Sequence, residues 1–299
     1  MRRSDHHVIG SRPRVIRVGW SALLCLSACV VGMAGVPAWA QAGEPEGPTV
    51  IQEESITEGV KAVVDDAKAL LTAPLRMDRG DALKVGGALA AVGGMFAADK
   101  PIRNLVSSNQ SSTGKNVADG LNTLGSAGTL AGFNAGVIAL GVAQESYGGS
   151  GKLKETGLVS LEAEGFAVAA TALLKGLTGR SRPDQNQGTT HFRPFSGLNG
   201  SFASTHVAAS FAVATVFADR YGAPAGMVGY TLATAVAAAR VYSDQHFASD
   251  VVAAALIGWG MGYFLSKRHG ADEDPTAWQI QPVPMGDGLG GGVMVGRRF

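Results

Sequence analysis

Apolar residues recur at helical spacing over six stretches of the chain, about 82–98, 117–144, 156–178, 204–219, 224–241 and 248–267. Polar or glycine-rich segments separate them, notably Ser107 to Lys115 and Tyr147 to Gly151. No β-rich segment or internal repeat interrupts the series. The pattern predicts an all-α fold, a bundle of about six core helices whose short connections make neighbours antiparallel. Upstream, Ile56, Val60, Val63, Val64, Ala67, Leu70 and Leu71 trace one face of an amphipathic helix that Pro74 ends. Ser55 and Glu58 read as a capping box at its start. This helix is expected to pack on the domain, with a membrane surface as the alternative. Downstream, 271–277 is a polar linker, and Trp278 to Met285 and Gly291 to Phe299 read as strands of a short C-terminal β-hairpin. The hairpin is expected to pack on its own domain, since hairpins need a packing surface. Docking of Phe299 on a membrane component is the alternative.

The first 40 residues change the picture, because they read as a secretory signal rather than as structure. Arg2, Arg3, Arg12, Arg14 and Arg17 precede an apolar stretch from Trp20 to Val36, and Ala38-Trp39-Ala40 offers a cleavage site. Leu26-Ser27-Ala28-Cys29 has the form of a lipoprotein box, but the sequence after Cys29 stays apolar where a tether is usually polar. The organisation expected is therefore a signal peptide over 1–40, a helical domain over 41–270, with 41–52 disordered, and a linker with hairpin over 271–299. Cleavage removes both cysteines, Cys25 and Cys29, so neither a disulfide nor a thiolate metal site is expected. It also removes five basic residues and one acidic residue, leaving a mildly acidic exported chain, a poor nucleic-acid binder.

Hydropathy leaves the membrane question to be decided on run lengths. A span needs ~20 mainly apolar residues. The third run offers only ten uncharged residues, Gly165 to Leu174, between Glu164 and Lys175, with Glu162 just before. Mean hydropathy over the chain is only +0.14. The expectation is a soluble periplasmic or secreted bundle, with a membrane-embedded or lipid-anchored one as the alternative.

The chemistry concentrates where these helices begin and end. Lys175 closes the third run and Arg182-Pro183 follows in the next loop; His206 opens the fourth, Arg240 closes the fifth, and His246 and Asp250 open the sixth. Antiparallel connectivity brings all of them to one end of the bundle. Each has a plain structural reading. Lys175 suits a helix C-terminus, Arg182-Pro183 a loop, and His206 a surface histidine after an N-cap Ser204. His246 and Asp250 read as an ordinary i,i+4 pair. Together they read differently. Three cations suit a tetrahedral dianion such as phosphate, one imidazole can attack phosphorus and a second can protonate the leaving oxygen. Asp250, one turn from His246, can hold that imidazole in one tautomer. Free amides at the helix start after Ser204 add an anion site. Asp244 reads as turn or N-cap, His191, Arg193 and Asp184 as loop decoration, and His269 as solvated.

These segments resemble the signature of the type 2 phosphatidic acid phosphatase and vanadium haloperoxidase superfamily: Lys, six residues, Arg-Pro; Pro-Ser-Gly-His; Ser-Arg, five residues, His, three residues, Asp. The first part is complete from Lys175 to Arg182-Pro183, and the third except that Ala239 replaces its serine; Ala203-Ser204-Thr205-His206 stands for the second. The resemblance spans roughly 160 to 266. It implies a metal-independent phosphomonoesterase acting on a phosphorylated lipid or small phosphoester. His246 would be the nucleophile, His206 the general acid and Asp250 the residue orienting His246, with Lys175, Arg182, Ser204, Thr205 and Arg240 on the phosphate. No metal or organic cofactor is expected, and vanadate is expected as an inhibitor. Thr205 stands where the family's glycine lends its amide, which suggests a reshaped pocket. Two alternatives stay open: a vanadate-dependent haloperoxidase, and a non-catalytic envelope protein with a degenerate site.

Overall fold

The computed structural model describes residues 53–270, 278–285 and 290–297, with side chains for 57–270. The segment 1–40 read as a signal peptide, the segment 41–52, the linker 271–277 and Phe299 lie outside the described residues. The chain divides into two compact units, Met1–Thr72 and Ala73–Phe299. The first contributes α1, Glu53–Thr72. Ser55 stands inside this helix rather than at its cap, and a 3₁₀ turn, Ala73–Arg76, follows where Pro74 was expected to stop it.

The second unit contains seven helices among the described residues: α2 Arg79–Ser108, α3 Ser112–Leu124, α4 Ala127–Ser146, α5 Lys152–Thr178, α6 Thr205–Tyr221, α7 Ala223–Tyr242 and α8 Ala248–Arg268. Two differ from the run pattern. α2 continues through Pro101 to Ser108, whereas the pattern ended it before Asp99. The run over 117–144 is two helices. Gly125 closes α3, and the Ser126 hydroxyl caps α4 by accepting the Thr129 N–H at 3.2 Å. β1 Trp278–Met285 and β2 Gly290–Arg297 pair antiparallel, Trp278 opposite Arg297 and Met285 opposite Gly290.

α6 is the central helix, in contact with α4, α5, α7 and α8. Its Val207, Ala208, Ala212 and Val216 meet Val159, Ala163 and Ala167 of α5 and Val251, Ala254 and Leu265 of α8 in one buried cluster. Most of these residues are small, so the backbones come close. A β-carbon at Gly258 of α8 would stand 2.1 Å from the Ala208 carbonyl oxygen, so only glycine fits there.

The outer surface departs from the soluble expectation. α2, α4, α5 and α8 are each long and apolar enough to cross a membrane, and the most apolar stretch of α2 is 0% buried. Leu83, Leu89 and Leu105 of α2, Leu140 of α4 and Leu173 of α5 are exposed. Large apolar side chains exposed along span-length helices favour contact with lipid and so the membrane-embedded alternative. The charges that argued against α5 as a span face inward. Glu162, Glu164 and Lys175 are buried, and Glu164 accepts a hydrogen bond from Asn134 at 2.9 Å. An ionisable group that faces the bundle and finds a partner does not prevent a helix from spanning.

Candidate active site

Every residue expected in the site lies at one end of this bundle. Lys175 is in the last turn of α5, and Gly179 closes that helix in the left-handed conformation, φ 53°. A β-carbon there would stand 1.7 Å from the Arg193 carbonyl oxygen, so the glycine serves both the turn and the close approach. The loop 180–204 then leads into α6. It folds back on itself: Ser181 N–H donates to the His191 carbonyl at 3.0 Å, Arg193 N–H to Gly179 at 3.1 Å and Ser201 N–H to Arg180 at 2.7 Å. Two of its carbonyls hold the first two cations. Lys175 Nζ donates to Gly200 O at 2.9 Å, and Arg182 Nε to Asn199 O at 3.2 Å while its Nη1 reaches Gln245 Oε1 at 2.5 Å.

Ser204 occupies the N-cap position of α6, yet its side chain makes no capping bond, and its buried Oγ has no partner. Arg240, buried in the last turn of α7, has an unpartnered Nε. Buried donors without partners are rare in folded proteins, and these two are free to donate to an anion. Thr205 lies in the first turn of α6 with ordinary helical backbone, and its Oγ1 sits 3.1 Å from Thr171 Oγ1 of α5. The positive φ that would demand glycine here is absent.

The two histidines are neutral at rest. Burial first, then the Arg240, Lys175 and Arg182 cations, push His206 down to about 4. Burial also depresses His246 to about 4, against the opposing pull of Asp250. His246 Nδ1 lies 2.8 Å from the Ser201 carbonyl oxygen, which can only accept, so Nδ1 carries the proton and Nε2 the lone pair. The sequence reading gave the holding of this ring to Asp250; the structure gives that hydrogen bond to Ser201. Asp250 Oδ2 is 3.7 Å from Nδ1, beyond hydrogen-bond reach, because it already accepts the Ser201 hydroxyl and the Phe247 N–H at 2.8 Å. Asp250 therefore acts on the ring through its charge and through Ser201.

Beneath this layer is a buried network that the motifs do not announce. Arg180, 1% exposed, donates to Asp250 Oδ1 at 2.6 Å, Ser249 Oγ at 2.7 Å, Asp99 Oδ2 at 2.7 Å and the Thr189 carbonyl at 2.5 and 3.0 Å. Its guanidinium lies over the rings of Phe96 and Phe247, 4.3 and 4.4 Å from their centroids. Asp99 in turn accepts the Ser249 N–H at 2.8 Å and hydroxyl at 2.6 Å. A second clamp joins Arg103 of α2 to Asp244 through a bidentate pair at 2.9 and 2.8 Å. Asp244 is a turn residue, as expected, with φ 55°. Of the loop groups read as decoration, His191 accepts or donates at Ser181 Oγ, 2.7 Å away. His269 is half-buried, not solvated, and its Nε2 lies 3.8 Å from Glu162 at the far end of the bundle.

Three cations, an unpartnered hydroxyl at a helix start and two neutral imidazoles together suit a phosphoryl group. Residues 157–273 match the model of the PAP2 superfamily. Over 150 residues it is 31% identical to a lipid A 1-phosphatase of Porphyromonas gingivalis; the match covers 47% of this chain and 31% of that protein, so the chain spans about a third of the length of this curated relative. The crystal structure of a transmembrane PAP2-type phosphatidylglycerolphosphate phosphatase from Bacillus subtilis overlays with a TM-score of 0.50 at 18% identity, covering 63% of this chain and 96% of that one. At that identity the likeness is one of fold.

Proposed function

We propose that the protein is a membrane-embedded phosphomonoesterase that removes phosphate from a phosphorylated lipid through a phosphohistidine on His246. The observation that carries the reading is the state of His246: neutral, with Nδ1 committed to Ser201 O and Nε2 free. His246 Nε2 attacks phosphorus as the ester oxygen departs, forming the N–P bond and breaking the P–O bond. Asp250 stabilises the imidazolium that results. Lys175, Arg182, Arg240, Ser204 Oγ and the Thr205 amide take the equatorial oxygens, and charge neutralisation of this kind supplies most of the catalysis. The substrate phosphate offsets the cations around His206, which takes up a proton from solvent as substrate binds; His206 then gives this proton to the leaving oxygen and later takes one from the water that attacks the phosphohistidine, releasing inorganic phosphate. The lipid character of the substrate is supported by the apolar exterior and by the activities for which the two relatives are named.

The test is His246→Ala with an acid-labile, base-stable phosphoenzyme as a second readout. Loss of at least a thousandfold in phosphate release, together with loss of the trapped phosphohistidine, is expected. Activity within tenfold of wild type refutes the nucleophile. Orthovanadate is expected to compete with substrate.

A further inference from the structure

The loop that holds the phosphate cations also carries exposed apolar side chains with no task in the mechanism. Phe195 is 80% exposed and Leu198 64% exposed. An exposed phenylalanine is unremarkable alone. Here its backbone is also in the left-handed region, φ 61°, a genuine outlier for a bulky residue. It is held there: Phe195 N–H donates to Gly176 O at 2.7 Å, and Ser196 N–H to Arg193 O at 3.2 Å. The surroundings thus fix a conformation that a polar turn residue such as asparagine would adopt more readily.

The crest continues onto α5. Leu198 Cδ2 lies 3.5 Å from where a β-carbon on Gly176 would stand. Leu173 and Leu177, one turn apart on the same face, are 67% and 53% exposed. α5 is one of the four span-length helices, so this strip prolongs its outward face to the rim of the site. The next two residues after Leu198 supply the carbonyls that anchor Arg182 and Lys175. One short segment therefore joins an apolar rail to the phosphate cations. That arrangement complements a molecule with a hydrocarbon body and a phosphate end.

We infer that Phe195 and Leu198, continued by Leu173 and Leu177, form a rail that binds the hydrocarbon chain of the phosphorylated lipid and delivers its phosphate to Lys175 and Arg182. The inference rests on the lipid-phosphatase reading and adds to it the surface that selects for chain length.

The test compares the full-length wild type with Phe195→Asn/Leu198→Ser, asparagine being chosen because it accepts a positive φ. Dibutyryl phosphatidate below its micelle concentration and dioleoyl phosphatidate in detergent micelles serve as short- and long-chain probes. In the double variant, kcat/KM on the dioleoyl probe is expected to fall at least tenfold, mainly through KM, while that on the dibutyryl probe stays within twofold. An equal fall on both probes, or no fall on either, overturns the rail. So does a loss seen only when the dioleoyl probe is presented in vesicles, which would make the crest a bilayer anchor. Binding of a fluorescent long-chain phosphatidate in micelles, followed by anisotropy, separates the two levels of inference. Wild type that binds but releases no phosphate, with tenfold weaker binding in the variant, refutes the catalytic reading and leaves the rail standing. Equal binding by both proteins refutes the rail whatever the turnover.

Discussion

Replacing Arg180 with methionine removes the one cation between two buried carboxylates. Arg180, Asp99 and Asp250 have fully buried side chains, joined by contacts of 2.7 and 2.6 Å. Methionine keeps the length and packs against Phe96 and Phe247, but it leaves Asp99 and Asp250 facing each other across apolar rings. Breaking a buried pair by removing one partner costs ~3–5 kcal/mol, because the surviving charge is left uncompensated. For a domain of this size ~1 kcal/mol corresponds to ~2–4 °C in Tm, so a fall of order 10 °C in detergent micelles is expected. The double variant Arg180→Met/Asp99→Leu removes one of the stranded charges and should recover part of that loss. Catalysis should stay impaired in both, since Asp250 loses the partner that holds it against Ser201 and His246. A Tm within 2 °C of wild type for Arg180→Met, measured by intrinsic fluorescence, refutes the argument. So does a double variant that is no more stable than the single one.

Further outcomes follow from the same geometry. Thr205→Gly should leave turnover within about twofold, since no positive φ is needed there. It should cost ~1 kcal/mol in unfolding experiments through helix-start entropy and the lost Thr171 contact; a strong fall in turnover without unfolding would place Thr205 in the reaction. Vanadate binding should take up a proton near pH 6, because His206, held at about 4 by burial and then by the Arg240, Lys175 and Arg182 cations, becomes more basic when an anion offsets those cations; identical calorimetric enthalpies in buffers of different ionisation enthalpy would contradict this. His246 is held near 4 in the folded state, below its ordinary value of ~6.5, so the unfolded chain binds the extra proton between those values. Stability is then full above about pH 6.5 and lost as pH falls toward 4; a Tm flat across that window rejects the neutral-imidazole assignment. The protein should remain in a carbonate-resistant pellet and require detergent for extraction; recovery in the soluble fraction would restore the soluble reading.

What could be read in the chain depended on the range of the signal. Helix existence came from local periodicity, and the site's placement followed from where Lys175, His206, Arg240 and His246 fall relative to helix ends. The break at Gly125-Ser126 was missed because apolar spacing continues across it. The end of α2 was misplaced because Asp99-Lys100-Pro101 has the look of a terminus, whereas Asp99 turns inward to a partner far along the chain. Counting charges along α5 misled about solvent, because a linear count does not say which face Glu162 and Glu164 occupy. Ser201 and Arg180 carry no spacing signal of their own. Each acts through a contact that exists only once the loop 180–204 has folded against α8.

Asp99 lies outside the 157–273 segment that carries the superfamily motifs. It is separated by 81 residues from Arg180 and by 150 from Ser249, its two partners. A polypeptide containing every motif residue but ending short of α2 on its N-terminal side would hold Arg180 with half its counter-charge missing. During synthesis the order is reversed. Asp99 emerges first and waits until the last core helix has been made before its hydrogen bonds can close. The buried charge network under His246 is therefore complete only when the first and last helices of the unit are both present.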